Sequence, residues 1–213
     1  MKPRTTALLA LTLLAGCRHA GDVTADNGGG IYAVRSACPI AGIPTGTGDI
    51  TLFNPQGSTD SGAIDVTATI SQLRSYCQQS GNDEVSTVTF IVTGLRRDAG
   101  PARQVILQYF DVALRGGSTV AAKEVGAVAL NFPAGSQHAS TSARASVRVN
   151  LSAASLPANV RAILTRPRKA GEAEAAIDPL AEPGVRAAVA NATFEHLVGF
   201  QLTQDQLKYN ATR

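Results

Sequence analysis

The strongest constraint on this chain is a period-two alternation of apolar and polar residues that recurs along most of its length. Residues 63–70 (AIDVTATI) place Ile64, Val66, Ala68 and Ile70 on one face and Asp65, Thr67 and Thr69 on the other. Residues 85–96 (VSTVTFIVTGLR) set Val88, Phe90, Val92 and Gly94 against Thr87, Thr89, Ile91 and Thr93, and residues 146–152 put Val147, Val149 and Leu151 inward. Only a strand keeps i, i+2 and i+4 on one side, and β-branched residues pack well on a pleated surface. Residues 104–115 (QVILQYFDVALR) run into Gly116-Gly117-Ser118 and on to 119–123, a hairpin signal. Residues 49–53 form a short alternating run, and the apolar run 125–132 ends at Pro133-Ala134-Gly135. Roughly six to eight short strands, with turn residues every 8–12 positions or so, predict a mainly β, antiparallel sandwich over residues 31–165.

The pattern of strands, a Gly-Gly hairpin and a Ser/Thr-rich alternating strand resembles the immunoglobulin-like and fibronectin-III-like modules of bacterial envelope proteins. The likeness is architectural and carries no functional motif. Composition shifts after Pro157, so residues 166–213 are expected to form a helical extension. Pro183 suits a helix start, Val185, Ala188, Val189, Ala192, His196 and Leu197 fall at roughly helical spacing, and Gly199 can end the helix. Thr203 and Gln206 have the spacing of a capping box for a last short helix.

The N-terminus reads as a processing signal over residues 1–16. Lys2 and Arg4 precede the apolar run ALLALTLL, which is too short for a bilayer core needing about 20 residues. Leu14-Ala15-Gly16-Cys17 then resembles the lipobox of bacterial lipoprotein precursors: an aliphatic residue, two small residues and a Cys. The resemblance implies a diacylglyceryl group on the Cys17 thiol and a membrane-anchored mature chain. Arg18 follows where Asp would direct inner-membrane retention, which favours the outer membrane, with the domain facing the periplasm. Residues 17–30, ending in three glycines, read as a lipidated flexible tether.

Export decides the reading of the other cysteines. Of the 3 in the chain, Cys38 and Cys77 remain once Cys17 takes a lipid. In an oxidising compartment such a pair is expected as a disulfide. Two free thiols are the alternative, and no His lies near either Cys in sequence to suggest a metal site.

No catalytic, metal or cofactor constellation stands out. His19, His138 and His196 are far apart in sequence, without HxH or HxxxH spacing, and His196 reads as a helix-face residue. Residues 57–62 (GSTDSG) lack the GxSxG frame, and 42–48 (GIPTGTG) lack the closing Gly-Lys-Ser/Thr of a phosphate loop. Asp111 sits among apolar residues of a strand, as a buried or edge acid. The leader holds two of the 19 basic residues, Lys2 and Arg4, leaving 17 against 16 acidic. A nucleic-acid binder would need a concentrated basic face, and the sequence shows no strong one. Arg166, Arg168 and Lys169 form a small basic cluster that offers contact to anionic surfaces, with Arg96-Arg97 a second; both also fit as solvated turn residues.

These readings converge on a non-enzymatic, lipid-anchored binding or assembly module of the cell envelope. Its expected partners are the membrane, through the lipid, and an envelope protein or cell-wall polymer. A periplasmic hydrolase and a carrier of a small ligand such as a lipid, each on a β scaffold, are the alternatives.

Overall fold

The computed structural model describes residues 36–166 and 176–212. It is a mainly β sandwich of two four-stranded sheets. The strands are β1 (Ile40–Gly42), β2 (Asp49–Phe53), β3 (Ile64–Ser80), β4 (Asp83–Arg96), β5 (Arg103–Arg115), β6 (Thr119–Phe132), β7 (His138–Asn150) and β8 (Phe194–Phe200). The helices are α1 (Ala158–Leu164), α2 (Pro183–Asn191) and α3 (Gln204–Thr212). One sheet has the order β2-β3-β4-β7 and the other β1-β8-β5-β6. All pairings are antiparallel except β1 with β8, which are parallel, so the expected antiparallel sandwich carries one parallel edge. The orders β2-β3-β4-β7 and β1-β8-β5-β6 are not the ABED and CFG orders of an immunoglobulin module, so the likeness is one of layers.

The core forms where the alternating faces meet. Val66, Ala68 and Ile70 of β3 and Val88, Phe90 and Val92 of β4 face Leu107, Leu130, Phe132, Val198 and Phe200 of the other sheet, all buried. Gly94 continues the inward row of β4 because Leu130 and Phe132 occupy the space a side chain would need.

β3 is longer than its apolar run. Its pairing with β4 shifts between Ser71 and Arg74, and Gln72 adopts a φ of 51° there. Two β3 residues, Gln72 and Leu73, thus oppose Phe90 alone. This bulge moves the inward positions from even to odd numbers. Leu73 then packs against the core, and Cys77 takes the place opposite the buried Ser86.

The region 166–213 departs from the expected helical extension. α2 ends at Asn191, and β8 follows as an inner strand between β1 and β5. The sandwich therefore does not stop at residue 165. Arg115 Nε donates to Asn191 O, and the Gly116 amide donates to Thr193 O, so the turn between β5 and β6 holds the chain between α2 and β8. α3 has both limbs of the expected capping box: the Thr203 amide donates to Gln206 Oε1 at 2.9 Å, and the Gln206 amide to Thr203 Oγ1 at 3.2 Å. Asn210 Nδ2 donates to the carbonyls of Gly46 and Asp49, and Tyr209 meets Phe53 edge-on, which fastens α3 beside β2.

Candidate functional site

Among the described residues, the buried hydrogen-bonded chain of chemistry-bearing side chains is Ser86–His196–Asp111. β4 presents Ser86 inward from one sheet, and β8 and β5 present His196 and Asp111 from the other. Ser86 Oγ lies 2.9 Å from His196 Nδ1, and His196 Nε2 lies 2.7 Å from Asp111 Oδ1. With the ring proton on Nε2, the imidazole donates to the carboxylate and accepts from the serine hydroxyl, so both nitrogens are satisfied. His196 therefore lies on a buried strand and not on the expected helix face. The burial of Asp111 is one of the two placements its apolar neighbours suggested.

These are the residue types of a serine-hydrolase triad, but the surroundings are different. In the triad the imidazole presents Nε2 to the serine and Nδ1 to the acid; here Nδ1 faces Ser86 and Nε2 faces Asp111. Ser86 and His196 are 0% exposed and Asp111 4%. A nucleophile needs room for substrate within bonding reach of its oxygen. The two described cavities, of about 380 and 400 Å³, open elsewhere. In this state the chain acts as a polar rivet between the sheets.

Beside the rivet, Cys38 and Cys77 form the expected disulfide, with a Cα–Cα distance of 5.8 Å. It ties the segment before β1 to β3, in the cross-strand row of Ser86. The bridge thus fixes where the chain enters the domain.

The remaining sequence candidates are dispersed. Cys17, the leader and the tether 17–30 lie outside the described residues, as do Arg168 and Lys169. Arg166 lines a cavity with Ile163, Ile177, Asp178 and Glu182, so two carboxylates share its surroundings. Arg96 is buried and is no part of a basic surface. Its guanidinium donates to the carbonyls of Ser136, Pro101, Gly100 and Pro133 and lies over the Phe132 ring. It thereby joins the β4–β5 and β6–β7 loops. Arg97 donates to Ser61 O and accepts at its own carbonyl from Gln137.

Asp65, Arg103 and Tyr109 have shifted titration. Arg103 makes a two-pronged ion pair with Asp65 at 2.7 and 2.6 Å. The hydrogen bonds from Arg103 hold the Asp65 carboxyl below its ordinary range, against a smaller opposing effect of burial. Burial, then the charges of Asp111 and Glu124, push the Tyr109 phenol up. Among the described residues, no group of three or more His, Cys, Asp or Glu could hold a metal ion, and no helix is long and apolar enough to cross a membrane.

No family model matches the chain, and no curated protein matches it. Among solved structures it is similar to a crystal structure of a DUF1425 family member from Shewanella sp. pv-4. The two are 16% identical, the match covers 51% of this chain and 94% of that one, and the TM-score is 0.23.

Proposed function

We propose that this chain is a lipid-anchored lipoprotein of the cell envelope whose β-sandwich is a non-catalytic binding module held on the periplasmic side of the outer membrane. The observation that carries the reading is the Cys38–Cys77 disulfide. It is independent of the leader, yet it suits the same oxidising compartment that the lipobox implies. The disulfide clamps the first described residues to β3, so a pull on the tether is borne by a covalent bond and not by the three-residue strand β1.

The test is acylation and fractionation. Cells expressing the chain with a C-terminal tag are fed labelled palmitate, and envelope fractions are separated. The expected result is label on the protein and recovery with outer membranes, both lost in Cys17→Ser. Unlabelled protein, or a Cys17→Ser variant that still fractionates with membranes, would overturn the anchor. Crosslinking in the same cells reports on the binding role, where specific envelope partners are expected.

One observation favours a hydrolase instead: the residue types of Ser86, His196 and Asp111. A fluorophosphonate probe that labels the folded protein, with labelling lost in Ser86→Ala, would establish that reading. No labelling is expected, because the serine oxygen is sealed between the sheets.

A further inference from the structure

The outer face of the β2-β3-β4-β7 sheet has two unlike halves. Near β2 it is polar and close to neutral. Beyond the β3 bulge the cross-strand rows read Arg74–Thr89–Arg144, then Tyr76–Thr87–Ser146, then Gln78–Val85–Arg148. Their side chains share the outer face, because Val88, Phe90, Ala145 and Val147, their neighbours along the strands, point into the core. Neighbouring strands lie about 4.8 Å apart, so Arg74 and Arg144, flanking Thr89, stand roughly 10 Å from each other. Arg148 is four residues along from Arg144, about 13 Å.

No acid shares the cross-strand rows of Arg74, Arg144 and Arg148. Among the described residues, no carboxylate is hydrogen-bonded or ion-paired to Arg74, Arg144 or Arg148. The nearest acids on these strands are Glu84, one residue past Val85 and alternating to the other face, and Asp83, next on the arginine face, which accepts from Asn150. Asp49 and Asp65 lie at the far half, the latter engaged by Arg103. Arg144 Nη2 donates to Tyr76 Oη at 2.7 Å, which holds one guanidinium upright against a tyrosine that is 48% exposed. Three unneutralised guanidiniums on a rigid sheet, around an amphipathic ring, suit phosphodiesters presented by a surface.

We propose that this face docks the domain onto the anionic phospholipid headgroups of the membrane that carries its anchor. The inference rests on the lipoprotein reading for its choice of lipid over other polyanions. Tyr76 adjoins Cys77, whose disulfide to Cys38 fixes the entry of the chain. Cys77 points to the inner side of the sheet, so the bridge brings the chain in along the same stretch of β3 as Tyr76, from the face opposite the arginines. Residues 17 to 38 span at most about 75 Å fully extended, which keeps the face within reach of the bilayer.

The test uses the chain from residue 17 onward with Cys17→Ser, so that no acyl group contributes. The core, the disulfide and all eight strands lie between residues 38 and 212 and are retained. Co-sedimentation is measured with vesicles of phosphatidylglycerol and of phosphatidylcholine, and pull-down with dextran sulfate beads. Binding to the phosphatidylglycerol vesicles alone is expected, falling with added salt. The combined Arg74→Gln, Arg144→Gln and Arg148→Gln variant should bind those vesicles about 100-fold more weakly, from roughly a factor of five per arginine. Lys123→Gln with Lys208→Gln, both away from this face, should bind unchanged.

Equal binding to both vesicles, or full binding by the triple variant, would overturn the proposal. So would capture by dextran sulfate without vesicle binding, which would assign the face to an anionic polymer. Arginines that guard the β7 edge against self-association would reveal themselves as a triple variant that aggregates while still binding vesicles, and that too would refute lipid docking. Because the tested protein cannot be acylated, failure of the anchor reading would show in palmitate labelling and not here.

Discussion

The rivet across the sandwich makes a prediction that separates a mutual network from three independently buried residues. His196→Leu removes both hydrogen bonds at once, those at 2.9 and 2.7 Å, and leaves the Asp111 carboxylate and the Ser86 hydroxyl facing apolar neighbours. Breaking a buried pair by removing one partner costs about 3–5 kcal/mol, and stranding a hydroxyl about 1–3 more. The single variant should therefore lose about 5 kcal/mol, enough to unfold a domain whose total stability is of the order of 5–15 kcal/mol. Asp111→Val, which strands the imidazole, should cost about 3 kcal/mol and Ser86→Ala about 1. The combination Ser86→Ala, Asp111→Val and His196→Leu buries no unpaired group and roughly conserves volume. It should lose no more than about 3 kcal/mol, well short of the summed single losses of about 9. Urea unfolding followed by far-UV circular dichroism, with the disulfide intact, measures each value, provided the m values agree. A combined loss equal to the sum of the single losses would refute the network, because each side chain would then be held by its own surroundings.

Removing the Cys38–Cys77 bridge with a Cys-to-Ser pair frees a 39-residue separation, and the chain-entropy relation gives a loss of about 4 kcal/mol in the same unfolding assay. An unchanged denaturation midpoint would count against that value. The Asp65–Arg103 pair supplies a pH dependence: a carboxyl depressed in the folded state stabilises above its ordinary pKa, and that contribution is lost as pH falls through the depressed value. With both partners partly exposed it is worth about 0.5–1 kcal/mol, and the acid-side difference between wild type and Asp65→Asn thermal melts should shrink at low pH. Gly94→Ala brings a Cβ to 2.5 Å from Leu130 Cδ1 and 3.1 Å from Phe132 Cζ, so a loss of about 1–3 kcal/mol is expected from chemical denaturation, and a neutral result would show that the core yields there. Thr203→Ala should cost about 1 kcal/mol through loss of its cap to Gln206, read as a lower melting temperature.

What the sequence revealed and what it hid follow from how each residue satisfies its backbone position. β3, β4, β5 and β7 were legible because their inward positions are Val, Ile, Phe, Leu or Ala, and period two shows directly in the letters. The extension of β3 to Ser80 was hidden by the bulge, since Gln72 and Leu73 break the parity and the hairpin arm beyond them is largely exposed. β8 was hidden by its chemistry. Phe194, His196, Val198 and Phe200 alternate inward without a break, yet a histidine in the second place reads as polar, and residues 185–197 offered a competing helical period. The signal that could have found the site lay in single polar residues next to apolar ones in strand-like runs: Ser86 beside Val85, Asp111 beside Val112, His196 beside Leu197. A buried acid is tolerable only with a donor, and a buried imidazole needs partners at both nitrogens. Asp111 therefore demanded a buried donor somewhere on the chain, and of the three histidines only His196 is flanked by residues able to seal it. Counting what each buried polar group must find recovers a contact between β5 and β8 that hydrophobic periodicity alone assigns to different structures.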